Sequence, residues 1–125
     1  MKVTAEKNEK LANMVFGSIY PLYWNRLEKH GRTREEFHQV IKWFTGFDED
    51  KLQTLIAEKA TYRTFFEQAK IHANAHMIKG VVCGYRIEEI EDEFEVYKQC
   101  RQLEKLIDEL AKGRKMEKIL REEKK

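Results

Sequence analysis

The sequence predicts an all-α fold: a small orthogonal helical bundle of about five to seven helices, with one long helix in its C-terminal half. Three observations predict it. One Pro and six Gly in 125 residues are too few for a loop-rich sandwich or a collagen-like chain. Apolar residues recur at three- and four-residue steps over most of the chain, the period of a helix with one buried face. Capping residues stand where that periodicity starts and stops. Leu, Ile, Val and Phe supply about a quarter of the residues, above the roughly 20% below which chains tend to stay disordered. A chain of 125 residues suits one domain around one core.

The elements follow in order. Leu11, Met14 and Val15 share one side of a first helix over Ala5 to Phe16, stopped at Gly17. Pro21 is tolerated in the first turn of a second helix running to about His30, with Gly31 as its C-terminal cap. Thr33 and Glu36 match a capping box. The third helix then carries Phe37, Val40, Ile41 and Phe44 on a core-facing stripe and ends at Gly46. Asp48 caps a fourth helix with Leu52, Leu55 and Ile56 inward, and Thr61 caps a short fifth bearing Tyr62, Phe65, Phe66 and Ala69. From His72 to Gly80 the periodicity weakens. Gly80-Val-Val-Cys-Gly84 is an apolar island. A lone strand there has nothing to pair with, so a buried irregular connection or a short helix is expected. A long helix is expected from about Glu88 to Lys112, its amphipathic part Glu93 to Lys112, with Val96, Cys100, Leu103, Ile107 and Leu110 in steps of four and three. Gly113 stops it, and Met116, Ile119 and Leu120 predict a last short helix. No repeat, linker or low-complexity tract divides the chain, so residues 1–125 are expected to form a single helical domain, with 113–125 as a basic C-terminal helix or tail.

Charge narrows the partners. Lys and Arg number 24 against 22 Asp and Glu, a net of +2, which by itself calls for neither nucleic acid nor an acidic partner. The distribution is uneven: Lys112 to Lys125 holds seven basic and three acidic side chains, while six of the eight residues from Glu88 to Glu95 are carboxylates. Cys83 and Cys100 lie in apolar segments and read as reduced, buried thiols of a cytoplasmic protein. Lys2, Lys7 and Lys10 ahead of the uncharged run Leu11 to Asn25 superficially resemble a signal peptide. Glu6, Glu9, Asn13, Pro21 and the missing cleavage site speak against it, and the run is too short and polar to span a bilayer.

Several constellations are candidates for chemistry. Two short helices around Gly46 outline a helix-turn-helix, but the second opens on Asp48-Glu49-Asp50, which a phosphate backbone repels; a generic helical hairpin is the better reading. His72, His76 and Cys83 offer nitrogen and sulfur ligands without the further ligands zinc needs, so no metal is expected. Glu88, Asp92 and Glu95 would share one helix face and Glu89 and Glu93 another, where the helix dipole favours them anyway. Cys83 is a candidate nucleophile if Arg86 or a helix start lowers its pKa. The aromatic residues Tyr20, Tyr23, Trp24, Trp43, Phe44 and Phe47 either line a small-molecule pocket between helices or fill the core. The C-terminal basic residues suit nucleic acid or anionic lipid, though acids interrupt them.

Read together, Ile19-Tyr-Pro-Leu-Tyr23, Gly31-Arg-Thr33, Trp43-Phe-Thr-Gly-Phe47, Phe65-Phe66, Gly80-Val-Val-Cys-Gly-Tyr-Arg-Ile-Glu-Glu-Ile90, Leu106-Ile-Asp-Glu-Leu-Ala-Lys-Gly113 and Met116-Glu-Lys-Ile-Leu-Arg121 resemble the bacterial family called domain of unknown function 2200. The resemblance spans about 15–121. It implies a small, mainly helical, cytoplasmic bacterial protein and carries no activity, cofactor or catalytic residue. The family pattern has Asn-Pro-Asn where this chain has His72-Ala-Asn74, which tells against a metal site built on His72. It has Asp-Pro where this chain has Asp92-Glu93, so the long helix is expected to start earlier here.

The leading functional expectation is a non-enzymatic interaction or small-ligand-binding module, self-associating as a homodimer or meeting a protein partner, without cofactor or membrane. The alternatives are a small enzyme using Cys83 with Arg86 and Glu88, and a weak nucleic-acid binder through the basic C-terminal helix. The candidate patch comprises Tyr20, Tyr23, Trp43, Cys83, Arg86, Glu88 and Glu89, with no catalytic or metal-binding residue assigned.

Overall fold

The computed structural model describes residues 3–121. Helix α1 (Ala5–Ala12) is capped by Thr4, whose hydroxyl accepts the Lys7 N–H. After three intervening residues α2 (Phe16–Lys29) begins. The expected single helix through Phe16 is broken by tertiary hydrogen bonds: Tyr62 N–H donates to the Met14 carbonyl at 2.8 Å and Phe16 N–H to the Ala60 carbonyl at 2.9 Å. Those bonds consume backbone groups that a continuous helix would need. Gly17 therefore lies inside α2, close against Ile56, and Pro21 sits in the helix interior rather than its first turn. The helix ends as expected at Gly31: Arg32 N–H reaches the Leu27 carbonyl and Gly31 N–H the Glu28 carbonyl, the paired bonds of a Schellman cap.

Helix α3 (Arg34–Thr45) opens on the expected capping box, Thr33 accepting the Glu36 N–H at 3.1 Å and Glu36 accepting the Thr33 N–H at 2.9 Å. At its end Gly46 has φ 75°, and a Cβ there would stand 3.0 Å from the Lys70 carbonyl oxygen. Both the turn and the close approach thus require glycine. Helices α4 (Glu49–Ala57) and α5 (Tyr62–Glu67) are capped by Asp48 and Thr61. A 3₁₀ turn over Ala73–Met77 then leads to a hairpin of β1 (Val81–Val82) and β2 (Tyr85–Arg86), antiparallel, with Val82 opposite Tyr85.

That hairpin corrects the expected irregular connection. The partner strand follows after only two residues, Cys83 and Gly84, whose φ angles of 52° and 81° are both left-handed, as a type I′ turn requires. A second correction concerns the long helix. Two 3₁₀ turns, Ile87–Glu89 and Asp92–Phe94, precede α6 (Glu95–Ala111), so the helix starts later than expected and the carboxylates from Glu88 to Glu93 share no α-helical face. Ile87 is anchored in the main core, whereas Ile90 packs in a separate cluster with Tyr85 and Tyr97; one continuous helix does not serve both. Asn8 supplies the missing cap, its side-chain oxygen accepting the Tyr97 N–H at 3.0 Å.

Helix α6 is the axis of the bundle and contacts α1, α2, α3, α5 and the hairpin. Cys100, Leu103, Leu106, Ile107 and Leu110 are buried on it, the stripe seen in the sequence, against Phe16, Leu27, Phe37, Phe44 and Phe65. The short helix α7 (Met116–Ile119) folds back and buries Ile119. Residues 122–125 of the basic tail lie outside the described residues. No helix among the described residues is long and apolar enough to cross a membrane.

Candidate functional site

The left-handed turn at Cys83 turns its side chain onto α6, where Arg101 and Glu104 are one helical turn apart. Arg101 Nη1 lies 2.6 Å from Glu104 Oε2, and the Cys83 thiol donates to that same oxygen at 3.2 Å. The sequence predicts two buried thiols; Cys100 is buried but Cys83 is exposed, and both are free. Partial burial and the Glu104 carboxylate push the Cys83 thiol pKa up, only partly offset by Arg101 and Arg26. An activated nucleophile needs the opposite. Nor do Arg86 and Glu88 serve it: Arg86 lies 3.9 Å from Glu89 Oε1, and Glu88 accepts the Gly80 N–H at 3.0 Å.

Arg101 also builds the wall behind the hairpin. Its Nη2 donates to Tyr97 Oη at 2.7 Å, and its guanidinium lies 4.7 Å and 5.3 Å from the ring centroids of Tyr97 and Tyr85. Lys7 donates to Tyr85 Oη at 3.1 Å. Hydrogen bonds from Tyr97 and Lys7 pull the Tyr85 pKa down, whereas burial raises that of Tyr97. The two rings meet edge to face, 5.3 Å apart, so Tyr85 is fixed from three sides.

In front of that wall is a cleft of about 430 Å³ between the N-terminal segment, the hairpin and the turns leading into α6. Its size falls in the range of small-molecule sites. Val3, Val81, Ile90 and Phe94 make its apolar sides, and Arg86, Glu89 and Glu91 are its charged lining. Two residues of the sequence-predicted patch, Arg86 and Glu89, thus meet here. Val3, Ile90, Phe94 and Glu91 lie outside the sequence-predicted patch; the one sequence signal for them is the apolar interruption of the acidic run by Ile90 and Phe94.

The aromatic residues of the predicted patch lie elsewhere. Tyr23 Oη and Tyr62 Oη are 3.1 Å apart, and burial drives both phenol pKa values up. Trp43 stacks on His72 with centroids 4.3 Å apart. Tyr20 packs on Phe37 and hydrogen-bonds His38 Nε2, and His38 Nδ1 lies 3.0 Å from Glu49 Oε1. Bonds from Gln53, Lys42 and His38 hold Glu49 at a pKa of about 2. Ionised Glu49 can only accept, so Nδ1 carries the proton and, in the neutral ring, Nε2 accepts the Tyr20 O–H. This Tyr–His–Glu chain was invisible in the sequence because its members come from three helices.

His72 Nδ1 accepts the Asn74 N–H, and His76 Nδ1 donates to the Ala73 carbonyl. Among the described residues no three His, Cys, Asp or Glu side chains converge as a metal site. Helices α3 and α4 form a hairpin whose Glu49 is committed to His38 and Lys42.

Comparison with known proteins places the chain. Residues 10–121 match the family described as an uncharacterized protein conserved in bacteria, domain of unknown function 2200. The crystal structure of the uncharacterized protein SP1917 is similar, with 36% identity, a TM-score of 0.83, and coverage of 94% of this chain and 97% of that one. No protein with a curated description matches. The match runs through α2, the hairpin, α6 and α7 alike, and the chain belongs to this uncharacterised bacterial family.

Proposed function

We propose that the protein is a small-ligand-binding module whose site is the cleft between the N-terminal segment, the hairpin and the start of α6. The cleft itself carries the reading: about 430 Å³ with apolar sides and three charged groups, backed by a tyrosine pair that Arg101 and Lys7 hold rigid. Preorganised walls lower the ordering cost of binding. The reading is tested by screening small fragments against the ¹⁵N-labelled protein and mapping the shifted amides. Shifts centred on Tyr85, Arg86, Ile90 and Phe94, abolished by the cleft-filling Val81→Trp, are expected; Val81 is half exposed, so the larger side chain does not disturb the core. Hits mapping elsewhere, or unaffected by Val81→Trp, overturn it.

A thiol enzyme is the second reading, favoured by an exposed Cys83 held in a left-handed backbone conformation, since such strain clusters at functional sites. Its raised thiol pKa tells against that reading, since an activated nucleophile needs a lowered one. Native-buffer labelling of Cys83 no faster than in the unfolded chain removes the nucleophile.

A further inference from the structure

The charged groups lining the cleft do not cancel. Arg86 faces Glu89 at 3.9 Å and that pair brings no net charge. Glu91 forms no ion pair with a basic side chain among the described residues. Its neighbour is a second carboxylate: hydrogen bonding with Glu91 pushes the Glu93 pKa up, as expected where two carboxyls crowd one place. A cation relieves that crowding. The surroundings select its kind. Hard metal ions want about six to eight oxygen ligands, whereas the sides here are Val3, Ile90, Phe94 and Val81. The complementary ligand has an apolar body and one protonated nitrogen, its charge beside Glu91 and its hydrocarbon on Ile90 and the Phe94 ring, a surface that also attracts an ammonium.

We propose that the cleft takes a small organic amine, an alkyl or aryl ammonium. The inference rests on the binding reading above and names the ligand class for the same site. Its test compares 2-phenylethylamine with the neutral 2-phenylethanol and the anionic 3-phenylpropionate, each titrated into the ¹⁵N-labelled protein at low salt. The amine is expected to shift the amides of Glu91, Phe94 and Tyr85 and to bind about fivefold more tightly than the alcohol, the carboxylate more weakly than both. Glu91→Gln, an exposed change, is expected to erase the advantage of the amine over the alcohol, and Glu95→Gln to leave it intact. Equal binding of amine and alcohol at the cleft overturns the amine and leaves the binding module standing. Amine shifts centred away from the cleft, or insensitive to Glu91→Gln, also overturn it. Silence of the cleft to all three compounds and to the fragment screen overturns both.

Discussion

The thiol of Cys83 and a guanidinium nitrogen of Arg101 share one oxygen, Oε2 of Glu104, at 3.2 Å and 2.6 Å. The hairpin tip is thereby tied to α6 through a carboxylate already neutralised by arginine. Because Glu104 helps hold the thiol pKa up, Glu104→Gln should accelerate labelling of Cys83 by a thiol reagent near pH 8, while buried Cys100 stays protected. Unchanged or slower labelling in the variant would contradict the arrangement.

Arg101 has a larger structural role than its position suggests. It binds Glu104 and Tyr97 and covers two tyrosine rings, and both members of its ion pair are largely buried. Arg101→Ala leaves the Glu104 carboxylate without its cation and the rings uncovered. A loss of about 3 kcal/mol is expected in denaturant unfolding, against well under 1 kcal/mol for Arg86→Ala at the exposed Glu89 pair.

Gly46→Ala tests the α3–α4 corner. The left-handed backbone costs an alanine roughly 1–2 kcal/mol, and the Cβ contact at 3.0 Å to the Lys70 carbonyl adds to it. A loss of about 2 kcal/mol in urea unfolding is expected. Gly31→Ala, where φ is 76° but nothing lies within 4 Å, should cost less.

Much of this was legible in the sequence, and the misses share a cause. The capping box at Thr33, the caps at Asp48 and Thr61 and the α6 stripe are local signals, written within a few residues of the structure they make. The break before Phe16 and the late start of α6 depend on partners far along the chain, Ala60 and Tyr62 in one case and Asn8 in the other. The hairpin was nearer to hand. Within the apolar island Gly80 to Gly84 a lone strand has no partner, yet Tyr85-Arg86 follows Val81-Val82 after two intervening residues and both strands fit within six residues. Arg86 and Glu89, three residues apart in the sequence, meet at the cleft; Tyr20, Tyr23 and Trp43 occupy separate packing sites in and around the core.

The Tyr20–His38–Glu49 chain makes stability acid-sensitive. Glu49 is held at about 2, below the roughly 4.3 of a free glutamate, so its contribution is present above the unfolded value and is lost as pH falls through 2. Glu49 is about half exposed (45%), which reduces the effect to about 1 kcal/mol. Thermal unfolding of Glu49→Gln should lie below wild type at pH 6 and converge with it towards pH 2. A gap that does not narrow would show that Glu49 acts only through packing.

The binding cleft is tested most directly by native mass spectrometry of wild type and Val81→Trp after incubation with the small-molecule fraction of a cell extract. A discrete added mass is expected on the wild-type chain that Val81→Trp lacks, at whatever subunit count the spectrum shows. An unladen wild type, or the same added mass on both proteins, would contradict it.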